Sequence, residues 1–162
     1  MIVNDLKLRR ADKLDSKDIF LWRNDAETRK MSRNQSVVLR EQHDAWFAAT
    51  LLNEERILYI AETDIEGVAE KVAMVRFDLD KTNASAEISI NFNPVFRGFR
   101  LSGDVINIGI KAILTVWVDI NDVVAEIKIE NKPSIKTFLN CGFEEKEEHT
   151  DRDLKVFRKR VS

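Results

Sequence analysis

The sequence predicts an α/β fold: a mixed, mostly antiparallel sheet with helices on both faces and a cleft where two strands splay. Three features carry that expectation. Three strand-like runs, Ile57 to Glu62, Val72 to Asp80 and Ala86 to Phe92, follow one another with only short turns between them, and strands so joined are antiparallel neighbours. A long helical pattern then leads into the β-branched run Val123 to Ile129, and a strand reached through a crossover helix takes a parallel partner. Pro94 stands where the two parts of the sheet would meet. It has no N–H to pair, so strands parting there would leave unpaired backbone groups in a cleft.

Each element has a local reason. Leu6 to Ala11 alternates apolar and charged residues and reads as a strand. Asp15 or Ser16 caps a helix running to about Asn24. The polar stretch Arg33-Asn34-Gln35-Ser36 interrupts, and then Leu39, His43, Trp46 and Thr50 recur at helical spacing, ending near Asn53. Gly67 turns the first central strand into the second, and Thr82-Asn83 the second into the third. After a tight Arg97-Gly98 turn, Leu101, Val105, Ile108 and Ala112 mark one face of a long helix. Asn131 is placed as an N-cap, with Pro133 in the first helical turn, where its missing N–H costs nothing. That helix passes Phe138 and stops at Gly142, a C′ position. Phe143 to Glu147 and Leu154 to Val161 close the chain as a hairpin. The order is β-α-α-β-β-β-α-β-α-β-β. With no repeat, low-complexity segment or linker, residues 1–162 read as one domain.

Composition narrows the function. At 162 residues and 18.8 kDa, the chain can bury roughly 70% of its unfolded surface without disulfides or a structural metal. Cys141 is the single cysteine, which excludes a disulfide framework or thiolate cluster within the chain. His43 and His149 are too few and too far apart for a histidine metal site, so no metal is expected. A net charge of −2 and a pI near 5.8 argue against a nucleic-acid partner. No run approaches the ~20 apolar residues of a membrane span, and the first residues lack a secretory pattern. A cytoplasmic protein with a reduced thiol is the expectation.

Two blocks then become recognisable. Ile88-Ser89-Ile90-Asn91-Phe92-Asn93-Pro94-Val95-Phe96-Arg97-Gly98-Phe99-Arg100-Leu101-Ser102-Gly103 resembles the acyl-CoA segment of the GNAT acetyltransferase superfamily: a strand, a Pro-containing bend, then Arg/Gln-x-x-Gly-x-Gly/Ala opening a helix. Asn131-x-x-Ser134-x-x-x-Phe138-x-x-x-Gly142-Phe143 resembles that family's downstream Asn…Tyr…Gly-Phe block, with its spacing intact. The element order agrees along essentially the whole chain. Trp22-Arg23-Asn24-Asp25, His43-Asp44-Ala45-Trp46-Phe47, Val75-Arg76-Phe77-Asp78 and Ala86-Glu87-Ile88-Ser89-Ile90 look like the branch that acetylates amino groups on nucleotide sugars, of the kind that serves pseudaminic acid biosynthesis. Branches acting on protein N-termini or small amines share part of this pattern.

The resemblance implies acetyl-CoA as co-substrate, a small-molecule amine as acceptor, and a monomer or homodimer. It implies direct attack of a neutral amine on the thioester. Backbone N–H groups at a helix start suit a diphosphate, so Gly98, Arg100, Leu101, Ser102, Gly103 and Asp104 are placed at the CoA diphosphate. Phe92 and Asn93 would pair with the pantetheine amides like an added strand, Asn131 would lie near that arm, and Phe138 near the sulfur. Two departures matter. Arg100 and Ser102 stand where the family has small residues, and an arginine there either crowds the phosphates or adds charge-assisted contacts. Phe138 replaces a tyrosine that protonates the leaving thiolate, which leaves Ser134, Tyr59 or a water for that role. Glu87, sharing one strand face with Ser89 and Asn91, is the candidate base, with His43 as second candidate. The alternative for Glu87 is an ion pair with Arg76, and for His43 a structural role. Trp22, Arg23, Asn24, Trp46 and Arg76 are the candidate acceptor contacts, set against simple core packing for Trp46 and Trp22. Trp117 reads as packing, and nothing near Cys141 suggests an activated nucleophile. The remaining alternative is a non-catalytic acyl-CoA-binding module.

Overall fold

The alternating residues at the start of the chain form the outermost strand of a single seven-stranded sheet. A computed structural model describes residues 4–147, 151 and 153–162; His149 lies outside the described residues. β1 (Asn4–Arg10) pairs antiparallel with β2 (Arg56–Ile65). β2 turns through Glu66 and Gly67, at φ 53° and 82°, into β3 (Val68–Asp80). Two successive left-handed residues give a turn whose twist matches the strands it joins. β3 returns as β4 (Ser85–Phe92) with no register shift. The sheet order is β1-β2-β3-β4-β5-β7-β6, with β5 (Asp122–Lys128), β6 (Glu144–Lys146) and β7 (Leu154–Arg160).

The two halves of the sheet meet at three rungs. β4 and β5 are parallel partners at Ser85↔Asp122, Ala86↔Val123 and Glu87↔Val124, and pair no further. β4 stays with β3 as far as Phe92, and β5 stays with β7 as far as Lys128. Each strand is therefore held by its outer neighbour while the inner edges part. The parting begins after Glu87, not at Pro94 as the sequence suggests. Pro94 instead opens a one-turn 3₁₀ helix, Pro94–Phe96, whose cap is Asn93.

Apolar periodicity assigns the helices to faces. α4 (Ser102–Val116) buries Val105, Ile106, Ile110 and Ile113 against one face, where α5 (Lys132–Asn140) adds Phe138. Gly109 lets α4 approach closely, since a Cβ there would stand 3.3 Å from Val75 Cγ1. On the other face, Ile19 and Trp22 of α1 (Ser16–Asn24) and Phe47 of α3 (Arg40–Leu52) cover Leu58, Ile60 and Met74. Each such side chain contributes about 1.5–3 kcal/mol through burial.

Several local details differ from the sequence reading. Asp15 holds the N-cap position of α1, as expected, but its side chain makes no cap hydrogen bond there. Asp12 caps a one-turn 3₁₀ helix at Lys13–Asp15, and Asp15 is fully buried in a ring of donors. It accepts two bonds of 2.8 Å from Arg9, one of 2.8 Å from the Asp12 amide, and stands 3.0 Å from Lys71 Nζ. A short helix not read from sequence, α2 (Ala26–Lys30), starts at Asp25, whose carboxylate accepts from the Thr28 amide. The Asn131 cap and a left-handed Gly142 (φ 89°) are present as expected, and β6 and β7 are antiparallel. Among the described residues, no helix is long and apolar enough to cross a membrane, and no His, Cys, Asp and Glu cluster could hold a metal ion.

Candidate active site

Where β4 and β5 part, the α1–α3 face opens into a cleft of about 660 Å³. Alternation aims Glu87, Ser89 and Asn91 of β4 to the same side as Arg76 of β3. β5 contributes Glu126 and Lys128, and α5 contributes Asn131, Ser134 and Phe138. Above them lie Arg23, His43 and Trp46, with the segment from Met31 to Val38.

With α2 before it, that segment forms a strap from Asp25 to Val38 fastened to both lips. On the β4 side, Arg97 pairs with Asp25, donates to Thr28 Oγ1 at 3.2 Å and reaches Glu27 at 3.4 Å. On the β5 side, Arg33 pairs with Glu126, and Lys128 Nζ donates to the Lys30 carbonyl at 3.4 Å. Asn24 clamps the far end: its amide donates to the Val38 carbonyl and accepts from the Val38 N–H, both at 2.8 Å. Asn24 is thereby committed to the strap and does not line the cleft.

Glu87 stands at the root, on the last rung, and has no ion pair among the described residues. The expected alternative partner, Arg76, is taken elsewhere. Its Nε lies 3.0 Å from Asp78, which also pairs with Arg56, and its Nη2 donates to Ser89 Oγ at 3.3 Å. Arg23 Nη2 donates to the Asn34 carbonyl at 2.7 Å, while Nη1 is buried with no partner among the described residues. Burial, together with the charges of Arg29 and Arg76, pulls its pKa down.

His43 is buried, 3.0 Å from Ser16 Oγ and stacked on Phe47 at 5.7 Å, and burial lowers its pKa. A packed, hydroxyl-bonded imidazole matches the structural alternative. Trp22 belongs to the core and does not line the cleft, whereas Trp46 is half-buried against it. Tyr59 is ruled out as a donor in this cleft. It points to the opposite face, buried edge-on to Phe77, because its neighbours Leu58 and Ile60 take the α1–α3 side.

The other mouth of the splay faces α4. From Ile88 to Phe92 the β5-facing edge of β4 has no strand partner. Asn93 is held by bonds to the Lys71 and Val72 carbonyls. The loop beyond turns through Gly98 (φ 81°) and Arg100 (φ 58°), so a conformation that favours glycine is carried by an arginine. Leu101 buries its side chain as the residue before α4, and the Ser102, Gly103 and Asp104 amides have no partner among the described residues.

A family model described as "Acetyltransferase (GNAT) domain" matches residues 5–144. The chain belongs to the GNAT acetyltransferase family. No curated protein matches the sequence significantly. Among solved structures, a domain from Methanocaldococcus jannaschii superposes with a TM-score of 0.85 at 18% identity, covering 97% of this chain and 99% of that one. Spermidine N-acetyltransferase from Vibrio cholerae, in complex with CoA and spermine, gives 0.77 at 17% identity over 96% and 94%. A candidate phosphinothricin N-acetyltransferase gives 0.75 at 27% identity over 98% and 99%.

GNAT acetyltransferases use acetyl-CoA, and the donors here suit it. Unpartnered amides at a helix start and an open strand edge are what a diphosphate and an amide-bearing arm require. Phe138 lines the cleft, but its ring packs edge-on against Phe143 at 5.0 Å and has no proton to give. Ser134 lies one turn before it on the same wall. Cys141 is half-buried, 3.7 Å from the Gly103 carbonyl, and burial raises its pKa, so it is no activated nucleophile. Trp117 packs against the core. The strap's contacts escaped sequence reading because residues 25–39 carry no period. The alternation Val123-Val124-Ala125-Glu126-Ile127-Lys128 was the available signal for Glu126 and Lys128.

Proposed function

We propose that this GNAT protein transfers acetyl from acetyl-CoA to a primary amine of a small molecule bound on the α1–α3 side of the splay. The observation that carries the reading is the position of Glu87. A carboxylate with no ion pair among the described residues sits at the root of the cleft, and the β4 edge without a strand partner among them begins at the next residue. Acetyl-CoA, when bound, supplies the acetyl group as a thioester. The Ser102, Gly103 and Asp104 amides hold its diphosphate, the Ile88–Phe92 edge pairs with its amide arm, and Asn131 borders that arm. Glu87 takes the proton from the acceptor ammonium, directly or through water, and Ser134 or water returns one to the thiolate. Residues 1–162 act as one cytoplasmic domain, a monomer or homodimer.

The acceptor favoured by the resemblance is an amino sugar linked to a nucleotide. A free small amine is supported by the phosphinothricin N-acetyltransferase likeness. Thiol release from acetyl-CoA with a nucleotide-linked amino sugar, an alanine-terminated peptide and simple amines tests both. The reading requires release that depends on one of these amines. Glu87→Gln should lower kcat by about 10²-fold or more, the size of a lost general base. Saturable acetyl-CoA binding without release would point to a binding module.

A further inference from the structure

The cleft is charged against the character of the protein. The whole chain has a net charge of −2, yet the cleft is lined by four cations, Arg23, Arg33, Arg76 and Lys128, against two carboxylates, Glu87 and Glu126. The pairs divide unevenly. Glu126 is taken by Arg33. Asp78, across the β3–β4 pair from Glu87 on the same face, is shared between Arg56 and Arg76, so that trio keeps one positive charge in excess. Among the described residues Arg23 has no carboxylate, and its Nη1 is a buried donor without a partner. A buried charged donor left unmet is costly until something accepts from it. Glu87 is the complementary case, a carboxylate with no cation paired to it among the described residues.

The register fixes how these groups are spaced. Glu87 and Ser89 lie two residues apart on one face of β4, and Arg76 is the register partner of Ser89. Two residues of strand are about 7 Å. A cation-seeking group at the root and an anion-seeking pair farther along the cleft are within the span of one small molecule.

We propose that the acceptor is an anionic amine, whose amino group meets Glu87 while a carboxylate or phosphate on the same molecule is held by Arg23 and Arg76. The proposal rests on the acetyltransferase reading and specifies its substrate class. Guanidinium groups hold such oxyanions through charge-assisted, often bidentate, hydrogen bonds. A polyamine would instead bring further positive charge to Arg23, which has no carboxylate among the described residues, and to an Arg56–Asp78–Arg76 trio already one charge positive. The spermidine-acetylating relatives therefore share the fold and not this acceptor class.

Matched acceptors test it. Butylamine against γ-aminobutyrate, and ethanolamine against phosphoethanolamine, differ chiefly in the anion, and spermidine supplies the opposite charge. The anionic member should have the higher kcat/KM by about tenfold or more, and whether carboxylate or phosphate gains more identifies the anion. Arg23→Gln should raise KM for the anionic member about tenfold while moving the neutral one little. Preference for butylamine, ethanolamine or spermidine, or an equal loss for both members in Arg23→Gln, would overturn the proposal. Titration of γ-aminobutyrate and phosphoethanolamine by calorimetry, with CoA present, separates the two readings. Arg23-dependent binding without acetyl transfer to any amine would keep the anion site and remove the acetylation. Neither transfer nor binding would remove both.

Discussion

Arg100 holds a backbone conformation that weighs against the fold. An L side chain at φ 58° costs about 1–2 kcal/mol, which glycine escapes. Its own extra freedom in the unfolded chain returns part of that gain. Arg100→Gly should stabilise the protein by about 0.5–1 kcal/mol, read from the urea midpoint. The sequence locates the loop by its motif, but the crowding it suggests at Arg100 is only half the reason for glycine there. The other half is the left-handed backbone, which no residue pattern displays. Phe138 is the second departure. Buried and edge-on to Phe143, it occupies a position where tyrosine differs by one hydroxyl. Phe138→Tyr should raise turnover at neutral pH by about tenfold if thiolate protonation limits the rate, a conservative share of what a general acid supplies. Initial rates of thiol release measure it, and an unchanged rate would mean that Ser134 or water already suffices.

At the scale of elements, strands and long helices were legible and the strap was not. Alternation and 3.6-residue periodicity report which face is buried, and every element with a core face was found where those patterns run. α2 has no buried residue, and the chain from Asp25 to Val38 is held by Arg97, Arg33, Lys128 and Asn24, contacts between residues far apart in the chain. The start of the splay was hidden for a similar reason, because it depends on which neighbour each strand keeps. Helical phase separates Trp22 from Trp46: Trp22 shares the face of Ile19, which meets Leu58 and Ile60. Since the strap is fastened by ion pairs, Arg97→Ala should speed tryptic cleavage after Lys30 or Arg33 several-fold without cleavage of the sheet. High salt should act in the same direction, because it screens exposed pairs.

Across the whole molecule, two buried groups give stability a stepped dependence on pH. Burial by itself pushes the Asp15 carboxyl up, but the Arg9 hydrogen bonds, the Asp12 amide and Lys71 outweigh it and bring the pKa from 3.8 to about 2. The folded value lies below the unfolded one, so this stabilisation is present above about pH 4 and is lost as the pH falls toward 2. It is worth about 2–3 kcal/mol. Burial lowers the His43 pKa below 6.5, so the folded protein prefers the neutral ring. That contribution is present above about pH 6.5 and declines below it. Urea unfolding from neutral to acid pH should show both losses. Asp15→Asn should remove the lower one, at a cost of about 3 kcal/mol near neutrality because Arg9 and Lys71 lose their shared anion. His43→Gln should remove the upper one.

With Arg97 gripping one lip and Glu126 and Lys128 the other, the chain from Asp25 to Val38 closes over the splay and makes an eyelet of it. An eyelet selects by cross-section before it selects by charge. Any acceptor that reaches Glu87 beneath the strap has to pass the opening bounded by Arg33, Arg97 and Lys128.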